Sequence, residues 1–307
     1  EHVREFIEAF TYEAFRRQPA EPEFVDALVA HFHVNRELGI GFKKAMGEVI
    51  SVILASPGFL YIEQAPRTAS PRQLDNRSFA VRLAYFLWSR PPDDELYRAA
   101  YSGALSEPRE LMKQVNRMLD DSKSSAFYDG FVSRWAELDR FKAITVDEKK
   151  YGNFNEGVRS SAYKEVLEFF KLLINENLSV YNLADSKYAV INAHLASYYG
   201  IKGHESNKFE KVKLFRNSPR GGMLGQAAFL TLGSNGEQSS PVIRGVMVLE
   251  KMLDNKPPDP PPNVPELGAG SKTPLSNRGM VELHRSQVVC ASCHSRIDPI
   301  GFGLENF

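Results

Sequence analysis

Residues 1–17, EHVREFIEAFTYEAFRR, place apolar side chains at the spacing of one face of an α-helix. The apolar positions of this stretch are Val3, Phe6, Ile7, Phe10 and Phe15. The same spacing recurs over 24–32 and 42–53, and a Ser-Pro-Gly run at 56–58 ends the third segment. A polar, proline-containing stretch at 64–72 then has the composition of a linker. The pattern predicts a first, small helical domain at 1–65.

Two further segments follow, and they differ in composition and in the length of their helical runs. Helical periodicity is strong over 78–88, 108–119, 126–141 and 156–176. After residue 208 glycine and proline become more frequent and the helical runs shorten. We therefore expect a mostly α, multi-domain chain, with a helical-bundle domain at 72–203 and a small irregular α domain at 208–307.

The third segment contains the run Pro257-Pro258-Asp259-Pro260-Pro261-Pro262. Each proline ring fixes its own backbone angle and disfavours a helical conformation in the residue before it. The run predicts an extended polyproline strap across the surface of the domain.

Composition limits the classes of function. The 307 residues are 43% hydrophobic and 25% charged, and 38 basic side chains balance 38 acidic ones. This balance, without a basic run, argues against nucleic acid as a partner. No apolar stretch approaches the roughly 18 residues that a membrane-spanning helix needs. Because helical periodicity begins at the first residue and the last residues are apolar, we interpret the chain as a fragment of a longer mature protein.

The two cysteines of the chain lie together, in Cys290-Ala291-Ser292-Cys293-His294. This C-x-x-C-H pattern has the form of a c-type haem attachment site. Residues three apart face the same side of a helical turn, so both thiols can reach the vinyl groups of one porphyrin. The pattern predicts one covalent haem c, with Cys290 and Cys293 as attachment points and His294 as the proximal ligand of the iron.

Three other interpretations of the cysteines remain open. A thioredoxin-like dithiol is expected in a βαβ setting, whereas the flanking residues have a helical pattern. A structural zinc ion needs four ligands, and only His284 is close enough in sequence to complete the set. A disulfide across the short loop would give His294 no role.

Sequence spacing alone does not select the other residues of a haem site. Candidates for the sixth ligand of the iron are Met223, Met247 and His284, with Met252, Met280 and His204 also in range. Arg285 and Arg296 are possible partners of the haem propionates. The segment 297–304 predicts an apolar wall in which Pro299 makes a turn. If His294 binds iron, its second ring nitrogen should hydrogen-bond to a carbonyl or carboxylate.

Several runs of the chain resemble the planctomycete-type cytochrome c family, large secreted proteins assembled from domains of unknown function. RGGMLGQAAFLTLGSNGEQSSPVIRGVMVLEKML at 220–253 resembles the C-terminal part of these proteins. The most specific runs are PPDPPPNVPEL at 257–267 and HRSQVVCASCHSRIDPIGFGLENF at 284–307. SFAVRLAYFLWSRPPDDEL at 78–96, AVINAHLASYYGI at 189–201 and FRRQPAEPE at 15–23 resemble the preceding helical domains of the family. The resemblance implies an extracytoplasmic location, covalent haem at Cys290 and Cys293, and His294 on the iron. It implies little about a substrate.

The motif and the resemblance together predict an extracytoplasmic monohaem c-type cytochrome that transfers single electrons, with residues 208–307 as its haem domain. Two alternatives stay open: a haem oxidoreductase with an open sixth position, and a haem-bearing structural or electron-relay subunit of a larger assembly. In each case a redox partner protein or an assembly is expected.

Overall fold

The computed structural model describes residues 2–62, 74–258, 275–286 and 288–307. The described residues are mostly helical, and their strands form a two-stranded sheet. This confirms the predicted mostly α, multi-domain fold. The predicted polyproline strap, from Asp259 onward, lies outside the described residues.

Contacts divide the chain into two compact units, Glu1–Phe127 and Tyr128–Phe307. The three-domain division at 1–65, 72–203 and 208–307 stays a prediction.

The regular elements that the structure describes in the first unit are helices. Its helices are α1 (His2–Ala14), α2 (Pro22–Glu37), α3 (Phe42–Ala55), α4 (Pro57–Leu60), α5 (Asn76–Trp88), α6 (Asp94–Tyr101), α7 (Pro108–Asp120) and α8 (Ser125–Phe127). Ile7, Leu28 and Val49 belong to one apolar core shared by α1, α2 and α3. Of the periodic apolar positions in residues 1–17, Ile7 is fully buried and Val3, Phe10 and Phe15 pack against this core, whereas Phe6 is 45% exposed.

Helix starts in the first unit follow the capping rules. Pro22 and Pro108 occupy the first turns of α2 and α7, where a missing backbone N–H costs nothing. The Asp93 carboxylate accepts a hydrogen bond from the Leu96 backbone N–H at 3.0 Å and pairs with both terminal nitrogens of Arg117. Asp93 is therefore the N-terminal capping residue of α6.

The second unit contains shorter helices and the sheet. Its helices are α9 (Ser133–Trp135), α10 (Leu138–Ala143), α11 (Glu156–Asn175), α12 (Ala193–Tyr199), α13 (Ala227–Leu232), α14 (Pro241–Lys251), α15 (Asn277–Arg285) and α16 (Val288–Gly303). Strand β1 (Tyr188–Ile191) pairs antiparallel with β2 (Glu210–Lys213), from Tyr188 opposite Lys213 to Ile191 opposite Glu210.

The helix predicted over 126–141 is wrong as a continuous element. The chain forms a π-helical turn at Tyr128–Val132, and Glu137 adopts a left-handed conformation with φ of 54° before α10. The interruption rotates α10 so that Leu138 and Phe141 are fully buried. Burial of two large apolar side chains outweighs the small cost of one left-handed residue.

A buried carboxyl group joins three helices of the second unit. Tyr199 of α12 donates a hydrogen bond to Glu165 of α11 at 2.6 Å and accepts one from the backbone N–H of Ala227, the first residue of α13, at 2.8 Å. Burial raises the pKa of Glu165 to about 8, although the Tyr199 hydrogen bond and the Arg220 charge oppose the shift. Glu165 is therefore largely protonated and uncharged at neutral pH.

Helices α14 and α16 pack backbone against backbone. A Cβ atom added to Gly245 would lie 2.3 Å from the Ile297 carbonyl oxygen, and one added to Gly301 would lie 1.8 Å from the Pro241 carbonyl oxygen. Both distances are far inside van der Waals contact, so only glycine fits at either position. The contact fixes the position of α16.

Pro299 lies inside α16 and not at a turn, which corrects the expectation for 297–304. Proline in a helix removes one backbone hydrogen bond and normally interrupts the helix. Here Pro299 is exposed, whereas Ile297, Asp298 and Gly301 around it are buried. Packing on this buried side compensates for the lost hydrogen bond and keeps the segment helical.

The glycine contact predicts opposite outcomes for two substitutions in the same helix. Gly301→Ala should destabilise the protein by about 2 kcal/mol or more, because the new methyl group forces α14 and α16 apart. Gly303→Ala is the matched control: no atom lies within 4 Å of its added Cβ, so stability should stay unchanged or rise slightly. Urea denaturation measures the free energy of unfolding of both variants. Equal losses of stability in Gly301→Ala and Gly303→Ala would contradict a close backbone contact at Gly301.

Candidate functional site

The C-x-x-C-H motif lies in the first half of α16. Cys290, Cys293 and His294 are partly exposed, and their spacings of three and four residues place them on one side of the helix. The Ser292 hydroxyl lies 3.9 Å from the Cys293 sulfur as a hydrogen-bond donor. The structure therefore brings the three predicted attachment and ligand residues together on one helical surface.

His294 is held by a carboxylate one turn further along α16. Its Nδ1 lies 2.8 Å from Oδ1 of Asp298, whose side chain is 1% exposed. With its proton on Nδ1, the ring donates to Asp298 and presents the lone pair of Nε2. This is the carboxylate partner that a metal-binding histidine is expected to have.

Asp298 was not singled out from the sequence as a partner of His294. A spacing of four residues is the signal that could have found it, but it requires a helix through Pro299. The proline instead indicated a turn, which would have separated the two side chains. The expected turn at Pro299 is therefore also the reason why the sequence did not identify Asp298 as the partner of His294.

The two arginines predicted as propionate partners lie in different settings. Nη1 of Arg285 lies 3.7 Å from Oδ2 of Asp298, so this guanidinium is part of the His294 cluster. That Oδ2 atom is buried and makes no hydrogen bond to any described residue. Arg296 is exposed. A propionate role for Arg285 and Arg296 stays a prediction.

His284 is the predicted sixth-ligand candidate that lies next to the motif. Its ring centroid is 5.0 Å from that of His294, with the ring planes tilted by 57°. His284 is buried, and burial together with the neighbouring His294 lowers its pKa. An uncharged imidazole is the form that binds a metal ion.

Three other sixth-ligand candidates, Met223, Met247 and His204, contact residues outside the motif. The Met247 sulfur is 4.0 Å from Nη2 of Arg140, a residue of α10. Met223 is 1% exposed and lies in a short 3-10 turn packed against the turn at Val180–Leu183. His204 bonds through Nε2 to the Ile191 carbonyl at 3.0 Å. None of these contacts involves the motif.

The donor set fits a covalently attached porphyrin better than a bare metal ion. No three His, Cys, Asp or Glu side chains in the described part of the chain are arranged to hold a metal ion. Two accessible thiols on one helical face, beside a histidine with an oriented ring, are the groups that c-type haem attachment requires.

No helix in the described ranges is both long enough and apolar enough to cross a membrane.

Three family models match successive parts of the chain. Residues 2–63 match PSD5, described as a protein of unknown function (DUF1595), and residues 74–201 match PSD4, described as a protein of unknown function (DUF1592). Residues 220–307, which include α16, match PSCyt3, described as a protein of unknown function (DUF1588). No curated protein and no solved structure matches the chain. PSD5, PSD4 and PSCyt3 are the planctomycete cytochrome c-associated domains, and the chain belongs to this family.

Proposed function

We propose that the chain is an extracytoplasmic monohaem c-type cytochrome that transfers single electrons. Cys290 and Cys293 would attach the haem and His294 would bind its iron. The observation that carries the proposal is the placement of all three on one face of α16, with the His294 ring oriented by Asp298. When bound, the haem supplies an iron that alternates between two oxidation states.

Asp298 acts through His294. Its carboxylate accepts a hydrogen bond from the Nδ1–H group, fixes the ring, and increases the electron density at Nε2. A more basic ligand stabilises the more positive oxidation state of a metal. Asp298 should therefore lower the reduction potential of this site relative to one in which the histidine bonds to a neutral partner.

The exposure of the motif supports exchange with a redox partner. Val289 is 71% exposed, Ser292 and Ser295 are exposed, and both cysteines are partly accessible. The end of α16 that carries the thiols thus faces solvent, whereas its other end packs on α14. A partner protein can approach the attachment edge without any rearrangement of the helix. The match to PSCyt3 and the covalent attachment motif support an extracytoplasmic location.

Loss of one thiol tests the attachment directly. Protein produced with a periplasmic haem-maturation system should give the pyridine haemochrome spectrum of haem c. In Cys290→Ser and in Cys293→Ser the reduced α-band should move to longer wavelength, because one vinyl group stays conjugated with the porphyrin. Ser292→Ala, between the cysteines, is the control and should leave the band in place. Wild-type protein without covalent haem would overturn the proposal.

Asp298→Asn tests the positioning role of the carboxylate. The variant keeps a hydrogen-bond acceptor near Nδ1 but removes the negative charge, so the midpoint potential should rise by about 60 mV or more, a tenfold change in the one-electron equilibrium. Glu282→Gln in α15 removes an exposed carboxylate and should leave the potential unchanged. If Asp298 had only a structural role, Asp298→Asn would lower the stability of the protein without changing the midpoint potential.

The contacts of Met223 and Met247 favour a haem oxidoreductase as the second candidate. Both side chains are buried and contact residues outside the motif, so these two methionines do not support a filled sixth position. A reduced protein that binds carbon monoxide, with a shift of its absorption maximum, would have an open sixth position and favour catalysis. A spectrum unchanged by carbon monoxide would indicate a filled position, with His284, whose ring centroid lies 5.0 Å from that of His294, as one candidate donor, and would favour electron transfer.

A further inference from the structure

The second unit contains a cavity of about 350 Å³ that none of the preceding functions uses. Its wall comes from the segment before α11, from α12, α13 and α14, and from the loops that join them. No residue of α15 or of the C-x-x-C-H motif is among its lining residues. The volume falls in the range of small-molecule binding sites.

Aromatic rings form much of the cavity wall. Tyr151, Phe154, Tyr198 and Phe307 line it, together with Leu230. The rings of Phe154 and Tyr198 pack edge to face with centroids 5.6 Å apart. Rings that face a concave space offer stacking and edge contacts to a flat apolar group. The wall therefore suits a planar ligand.

Arg220 supplies a positive charge to the same cavity. One of its terminal nitrogens donates to the Gly225 carbonyl at 2.6 Å, and its guanidinium carbon lies 3.9 Å from the Tyr199 ring centroid and 5.3 Å from that of Phe307. These contacts hold the head group in place. No carboxylate of a described residue lies within ion-pair distance of it, and the group is only partly exposed.

The other charges near the cavity do not neutralise Arg220. Glu165 lies beneath Tyr199 and is largely uncharged at neutral pH. Arg244 is the second arginine of the wall, and its charge is already paired. It forms an ion pair with Glu305 at 2.8 Å and donates a hydrogen bond to the Leu304 carbonyl at 2.6 Å. An oriented, partly desolvated guanidinium without a counter-ion is a strong site for a carboxylate.

We propose that this cavity binds a small aromatic carboxylate, with its ring among the aromatic side chains and its carboxylate on Arg220. The guanidinium presents planar donors that match the two oxygens of a carboxylate. The ring provides the apolar area that a carboxylate alone lacks. The site is independent of the proposed haem, so a failure of either proposal leaves the other unaffected.

Isothermal titration of the whole chain with benzoate tests the site. Benzoate should bind at one site per chain, in the millimolar range or tighter. Benzamide has the same shape without the charge and should bind about tenfold more weakly or worse, since a charge-assisted pair is replaced by a neutral contact. Acetate, which lacks the ring, should also bind more weakly. This comparison uses unmodified protein, so it stays decisive even if a variant fails to fold.

A pair of arginine variants locates the binding. Arg220→Gln should weaken benzoate binding about tenfold or more, whereas Arg216→Gln, an exposed arginine in the same connecting segment, should leave it unchanged. Circular dichroism checks that both variants are folded. Absence of saturable benzoate binding, equal affinity for benzamide, or unchanged binding in a folded Arg220→Gln variant would each overturn the proposal.

Discussion

The direct backbone contact between α14 and α16 is the constraint on which the candidate site depends. Gly245 and Gly301 leave no space for a side chain, so the two helices can pack in only one register. Arg244 reinforces this register by bonding to the Leu304 carbonyl and to Glu305, just beyond the end of α16. Ile297, Asp298 and Gly301 in one half of α16 are thereby buried, whereas the cysteines in the other half are partly exposed.

Periodicity predicted the long helices because each has one continuous apolar face. For example, α1, α3 and α11 were all indicated by the spacing of residues that the structure buries. The short elements were not predictable in this way. Strands β1 and β2 have four residues each and depend on pairing between residues 19 to 25 positions apart. The break at Glu137 depends on which side of α10 finds a core, which is tertiary information.

The candidate site also contains some residues that the sequence could identify and others that it could not. Cys290, Cys293 and His294 could be identified from the sequence because the motif is contiguous and its chemistry follows from local spacing. Asp298 could not, because its helical placement depends on packing that overrides Pro299. Arg220 was missed for a related reason. Its significance comes from the aromatic wall and from the burial of Glu165, which only the folded chain brings together.

The buried attachment of Asp298 has a consequence for the speed of redox chemistry. The carboxylate that holds His294 lies on the buried side of α16, next to Ile297, whose carbonyl faces Gly245 of α14. For a one-electron carrier, the rate of exchange depends on how far nuclei must move when the charge of the centre changes. In the proposed cytochrome, a ligand held from packed backbone would give a low reorganisation energy and would therefore permit rapid exchange between partners of nearly equal potential.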